Sequence, residues 1–148
     1  MAVVNTKATA VTNADSATNT PTPLKVAGGR VKSSIGSVAV ANGDSIASTL
    51  RFARVHSSWR VRRVLLSNDA IATATADIGI LETAANGGAA VDADLFGSAV
   101  ALTAAQSNID VTRESGVITV ANMEKPLWQL LGLTSDPGKW YDLAATLT

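Results

Sequence analysis

Few side chains in this sequence could carry proton chemistry. His56 is the only histidine, and it precedes Ser57 and Ser58. A nucleophilic serine needs a base within hydrogen-bond reach and a third group to orient that base. In extended chain both serines follow His56 too closely for a triad, so this histidine reads as a strand-end or loop residue. Asp92 and Asp94 flank Ala93 and offer oxygens to a hard cation such as calcium. An EF-hand loop needs several more ligands at set positions, and the favoured reading is that both cap a helical turn over 92–96. The chain has no cysteine, which removes thiol nucleophiles, thiolate metal sites and disulfides together. Its glycines match neither a phosphate-binding loop nor a dinucleotide fingerprint. The expectation is a protein that is not an enzyme and holds no cofactor or metal.

Binding chemistry is better represented. The 148 residues carry 12 bases and 12 acids, so net charge gives no general reason to expect nucleic acid or an acidic membrane as partner. The charges are segregated, however. Residues 30–63 hold Arg30, Lys32, Arg51, Arg54, Arg60, Arg62 and Arg63 against Asp44 alone; residues 64–148 hold ten acids and three bases. Three readings stay open: basic strands paired with acidic ones inside one subunit, a bipolar surface that orients subunits on a charged partner, or a nucleic-acid site. The last would want aromatics interleaved with the arginines, and only Trp59 is near. Arg51, Arg54, Arg60, Arg62 and Arg63 are therefore candidate interface residues. Trp140 joins them: if Tyr141, Leu143 and Leu147 face the core, Trp140 points away with Asp142, as an interface anchor or buried under the loop 132–138.

The elements that must position these groups are strands. Six aromatic residues suffice for one modest core, and period-two alternation dominates from residue 30 onward. Over 45–55, Ile46, Leu50 and Phe52 share a face; over 72–81, Ala74, Ala76, Ile78 and Ile80 do; over 140–147, Tyr141, Leu143, Ala145 and Leu147 do. Shorter strands are predicted at 37–41, 108–111 and 117–121, with Asn42-Gly43-Asp44 as a hairpin turn. The strand 59–66 breaks its own parity, and a β-bulge near Arg62-Arg63 would bring Trp59, Val61, Val64 and Leu66 all inward. Pro126 and Gly132 bracket a short helix at 126–131. Seven or eight short strands separated by turns predict an antiparallel β-sandwich or jelly roll over 29–148.

Residues 1–28 are mostly Ala, Thr, Asn, Ser and Val, and too poor in large apolar groups to fold alone. They read as a disordered tail or as an extended N-terminal arm laid on a neighbouring subunit. They lack the apolar stretch of a signal peptide, and no run of about 18 apolar residues exists to span a membrane.

The segment from Lys125 through Pro126, Leu127, Trp128, Gln129, Leu130 and Leu131 to Gly132, the turn Ser135-Asp136-Pro137-Gly138 and the stretch 141–148, together with 59–69, resemble small tailed-bacteriophage proteins. These are often encoded near the major capsid protein and act as head decoration or cement proteins. The resemblance covers roughly residues 30–148. It implies a jelly-roll-like sandwich, oligomerisation, and attachment to the outer capsid surface after assembly in the host cytoplasm. The partners expected are the major capsid protein and the protein itself, as a homotrimer in preference to a homodimer because a shell offers many three-fold positions; membrane and nucleic acid are not expected. No motif carries functional residues over. Two other readings are a tail, baseplate or head–tail joining protein and a carbohydrate-binding sandwich stacking Trp59, Trp128 or Trp140 on sugars.

Overall fold

The computed structural model describes residues 31–40 and 44–148, and the chain divides between Ser34 and Ile35. Residues 31–34 carry neither helix nor strand and are exposed; the body is Ile35–Thr148. The arm expected over 1–28, the boundary after it and the Asn42-Gly43 half of the expected hairpin turn lie outside the described residues.

The body is all-β, with antiparallel pairing and one short helix. Alternation sets three of the strands. In β3 (Thr75–Glu82) Ala76, Ile78 and Ile80 are buried, and in β6 (Trp140–Leu147) Tyr141, Ala145 and Leu147 are. β1 (Thr49–His56) lays Leu50 and Phe52 against the same core. With β4 at Ala90–Ala101, the sheet order is β1-β6-β3-β4, so the last strand of the chain runs between β1 and β3. Its ladder with β3 is regular from Ala76↔Leu147 to Glu82↔Tyr141. Its ladder with β1 slips between Arg51 and Ala53, which makes Phe52 the extra residue of a bulge. A Cβ on Gly36 would overlap the Phe52 carbonyl, so glycine lets residues 35–40 lie against β1. β2 (Leu65–Asn68) and β5 (Gln106–Asp110) form a separate pair. Helix α1 (Leu127–Leu130) follows Pro126 and buries Leu127; Gly132 (φ 71°) turns the chain just after it.

The largest departure from sequence expectation is β4 (Ala90–Ala101), twelve residues long, where a helical turn is predicted over 92–96. Leu95, Phe96 and Gly97 are buried in succession, a pattern that alternation cannot produce. The register against β3 shifts three times, and Ala99 takes a left-handed conformation (φ 51°) that re-aims the strand. At Gly79 a Cβ would overlap the backbone of Asp92 and Ala93, so the close approach of β3 and β4 needs glycine there.

Other expectations fail for local reasons. Residues 59–64 are not a strand, so there is no bulge at Arg62-Arg63; the shift in β2 falls between Leu66 and Asn68. Val64 is buried and Val61 and Leu66 pack against the core, but Trp59 is 36% exposed. Ile46 is exposed because β1 begins only at Thr49, after Ala47 takes a left-handed turn (φ 71°). Residues 37–40 and 117–121 are not strands either, and Ile118 enters the core from a turn-rich segment.

These placements exchange the expected weights of two aromatics. Phe96→Ala should lower the unfolding free energy by about 3–5 kcal/mol, whereas Trp59→Ala should cost less than half of that. Urea titrations of the two variants check the order, and equal losses would mean that Trp59 belongs to the core.

Candidate functional site

Two exposed tryptophans, Trp59 and Trp140, meet where β1 ends and β6 begins. His56 and Trp140 are partners across the β1–β6 ladder. The Trp140 ring meets His56 edge to face at 5.0 Å and Trp59 edge to face at 5.2 Å between centroids. Such pairs add about 0.5–1.5 kcal/mol beyond area burial. Trp140 is nevertheless 45% exposed, so of its two sequence readings the outward one holds.

Backbone hydrogen bonds fix this corner. The Trp59 amide donates to the His56 carbonyl at 2.9 Å, closing a turn, and the Ser57 amide donates to Lys139 at 2.9 Å. The first turn of α1 is tied to the same loop: Leu127 donates to the Trp59 carbonyl (2.8 Å) and Trp128 to the Ser57 carbonyl (3.0 Å). The Ser57 hydroxyl is fully buried and donates to the Asp136 carboxylate, which also accepts the Gly138 amide at 2.9 Å. Those two bonds, the serine's first, hold the Asp136 carboxyl below the usual carboxylate range. His56 Nδ1 lies 2.9 Å from Ser58 Oγ. Ser57 is thus committed to Asp136 and His56 to Ser58, so imidazole, carboxylate and hydroxyl do not line up as a triad.

The five arginines have separate fates. Arg51 donates to Asp142 at 2.8 Å and to the carbonyls of Glu82 and Gly88 at 2.7 and 2.9 Å. Arg54 donates to the other oxygen of Asp142 at 3.1 Å. Asp142 is only 6% exposed, and a carboxylate that dry requires such partners. Arg60 donates to the Glu124 carbonyl, and Arg63 to Asp110 at 2.9 Å. Arg51, Arg54 and Arg63 therefore realise the intramolecular reading of the charge split. Arg62 alone of the five makes no hydrogen bond or ion pair among the described residues. Lys139 pairs with Glu82 and is held above its ordinary range chiefly by that bond.

Arg62 lines an open cleft of about 480 Å³ with Arg63, Asp110, Thr112, Arg113 and Glu114. A relay orders one wall: the Val64 amide donates to Thr112 Oγ1 (2.7 Å), which donates to Asp110 Oδ1 (2.6 Å). Thr112 first, and then Arg63, lower the Asp110 carboxyl to about 2. A second open cleft of about 540 Å³ lies among residues 44–46, 70–75 and the C-terminal Leu147 and Thr148. Among the described residues no group of three or more His, Asp or Glu could hold a metal ion, and no helix is long and apolar enough to cross a membrane.

Sequence reasoning singles out Trp140 and Arg62 but assigns Trp59 to the core. Nothing in the order of residues brings Trp59 beside Trp140; the turn after His56 does. Comparison with protein-family models, curated proteins and solved structures finds no match.

A carboxyl whose pKa is lowered by folding stabilises the fold above its unfolded pKa, and that stabilisation is lost as pH falls through the folded value. For Asp110 the window runs from about 4 down to about 2. Asp110→Asn should therefore flatten the pH dependence of the melting temperature in this window. At neutral pH the same change should cost about 0–1 kcal/mol, because the Arg63 pair is exposed. An unchanged acid limb in calorimetry would place the acid-sensitive group elsewhere.

Proposed function

We propose that this protein is a structural component of a tailed-bacteriophage virion that binds rather than catalyses: a head decoration protein seated on the outer face of the major capsid lattice. The observation that carries the reading is the aromatic corner. Trp140 and Trp59 are open to solvent yet held by a β-ladder, a closed turn and the start of α1. A large ring that is both exposed and already ordered loses little entropy on docking, which is the property of an interface anchor. Ile35 (96% exposed) and Val38 add further apolar surface in a segment without regular structure. Repetition over a lattice multiplies a modest contact through multivalency. A tail, baseplate or joining role would use the same surfaces.

One observation favours a second reading. An exposed tryptophan pair beside His56 and Ser58 is also a platform for stacking on a sugar ring. Saccharides that quench the tryptophan fluorescence of the wild-type protein, and do so less for Trp140→Ala, would favour that reading.

The decoration reading predicts that the protein co-purifies with particles in a fixed ratio to the major capsid protein. Trp140→Ala should weaken particle binding at least about thirtyfold, the loss expected of a hot spot of about 2 kcal/mol, while the variant stays folded at the temperature of the assay despite the loss of its two ring contacts. Wild-type protein that does not sediment with particles at any concentration would exclude the virion role.

A further inference from the structure

The cleft around Arg62 has an excess of positive charge that its own subunit does not satisfy. Both carboxylates on its walls are engaged. Asp110 binds Thr112 and Arg63, and Glu114 Oε2 accepts the Ser98 amide at 2.7 Å. Among the described residues Arg62 has no partner, and Arg113 reaches only the Met123 sulfur at 3.1 Å. Two guanidinium groups facing one open cleft are a receptor for paired carboxylates.

The complementary group lies on the same strand that borders the cleft. Residues 113–115 are pinned to β4: the Ser115 amide donates to the Phe96 carbonyl (3.0 Å), the Ser115 hydroxyl to the Leu95 carbonyl (2.8 Å), and the Ser98 amide to Glu114. A few residues earlier β4 carries Asp92 and Asp94, two positions apart. Neither meets a cation among the described residues. Burial first, and then Asp94, holds the Asp92 carboxyl above the usual range, as expected where two acids lack a counter-charge. β4 is also an edge strand of the sheet, and its repeated register shifts disfavour simple strand addition there.

Within one subunit, then, an uncompensated basic cleft and an uncompensated acid pair lie along one edge strand: Gly97 and Asp92 stand opposite Ile78 and Ile80, two β3 residues or roughly 7 Å apart along the sheet. We propose that two copies of this chain associate across β4, with Asp92 and Asp94 of each copy seated in the Arg62–Arg113 cleft of the other. A two-fold axis makes both contacts at once, because each copy presents both halves in opposite order along the strand. The zero net charge of the chain adds no general repulsion between the copies. The contact does not depend on the virion reading. It selects the dimer over the trimer that the resemblance favours.

A charge-swap experiment on the isolated full-length protein tests it, with mass read by sedimentation or light scattering. The wild-type protein should be a dimer whose dissociation constant rises at least about tenfold between low and high salt. R62E/R113E and D92K/D94K should each be monomeric, with melting temperatures showing that they remain folded. Mixed one to one, they should form a heterodimer, since one contact keeps its native charges and the other reverses both partners, so each joins opposite charges. If either reversal unfolds the protein, R62A/R113A and D92N/D94N replace them and should each weaken the wild-type dimer. A wild-type monomer at about 100 μM in low salt would overturn the proposal, as would a trimer or folded reversal variants that fail to associate when mixed. None of these measurements involves particles, so loss of the dimer and loss of capsid binding are separate results.

Discussion

The placement of β6 is the constraint on which the rest of the structure depends. β1 and β3 do not pair with each other; each pairs with the last eight-residue strand of the chain, which lies between them. Two flanks of the sheet thus remain incomplete until residues 140–147 are in place. The strand is also the one that buries Tyr141, Ala145 and Leu147 on one face and Ala144 and Asp142 on the other. A strand covered on both faces must supply partners for any charge it carries. β6 carries Asp142, and β1 answers it with Arg51 and Arg54.

That demand explains why a chain with balanced charge keeps its arginines together. Arg51 spans from Asp142 to the carbonyls of Glu82 and Gly88, tying β1 to the end of β3 and the turn beyond it. Breaking a pair of this kind leaves a buried charge alone, at a cost of about 3–5 kcal/mol. Exposed pairs such as Arg63 with Asp110 contribute far less to stability, but they orient the walls of a cleft. The basic region therefore divides by burial. Arg51 and Arg54, on the buried Asp142, hold the sheet together, and Arg62 has no partner among the described residues.

The aromatic corner follows from the same strand. Trp140 is the first residue of β6, directly opposite the last residue of β1, so the ladder that closes the sheet also presents the ring. Ser57 and Asp136 then close the adjoining loops onto each other, and the start of α1 docks on the His56–Trp59 turn. A rigid body that displays ordered apolar rings at one place and unpaired charges at another is suited to assembly.

Alternation in the chain determined much of this by itself. Strands β3 and β6, the inward face of each, the short helix between Pro126 and Gly132 and the all-β class were legible because period two and turn residues act locally. The outward direction of Trp140 was legible as one of two alternatives. What sequence could not reveal were features made by distant parts of the chain. β4 was hidden because its aspartates, alanines and glycine have weak strand propensity and its alternation is broken by register shifts against β3. Trp59 was assigned to the core because a bulge at Arg62-Arg63 would put it on one face with Val61, Val64 and Leu66, and only the turn at His56 carried it out to Trp140. Which arginines meet a carboxylate and which meet solvent depends on residues as far as 91 positions away, since Asp142 pairs across the sheet with Arg51. Local pattern fixed where strands form, and tertiary pairing decided which charges and rings were left at the surface.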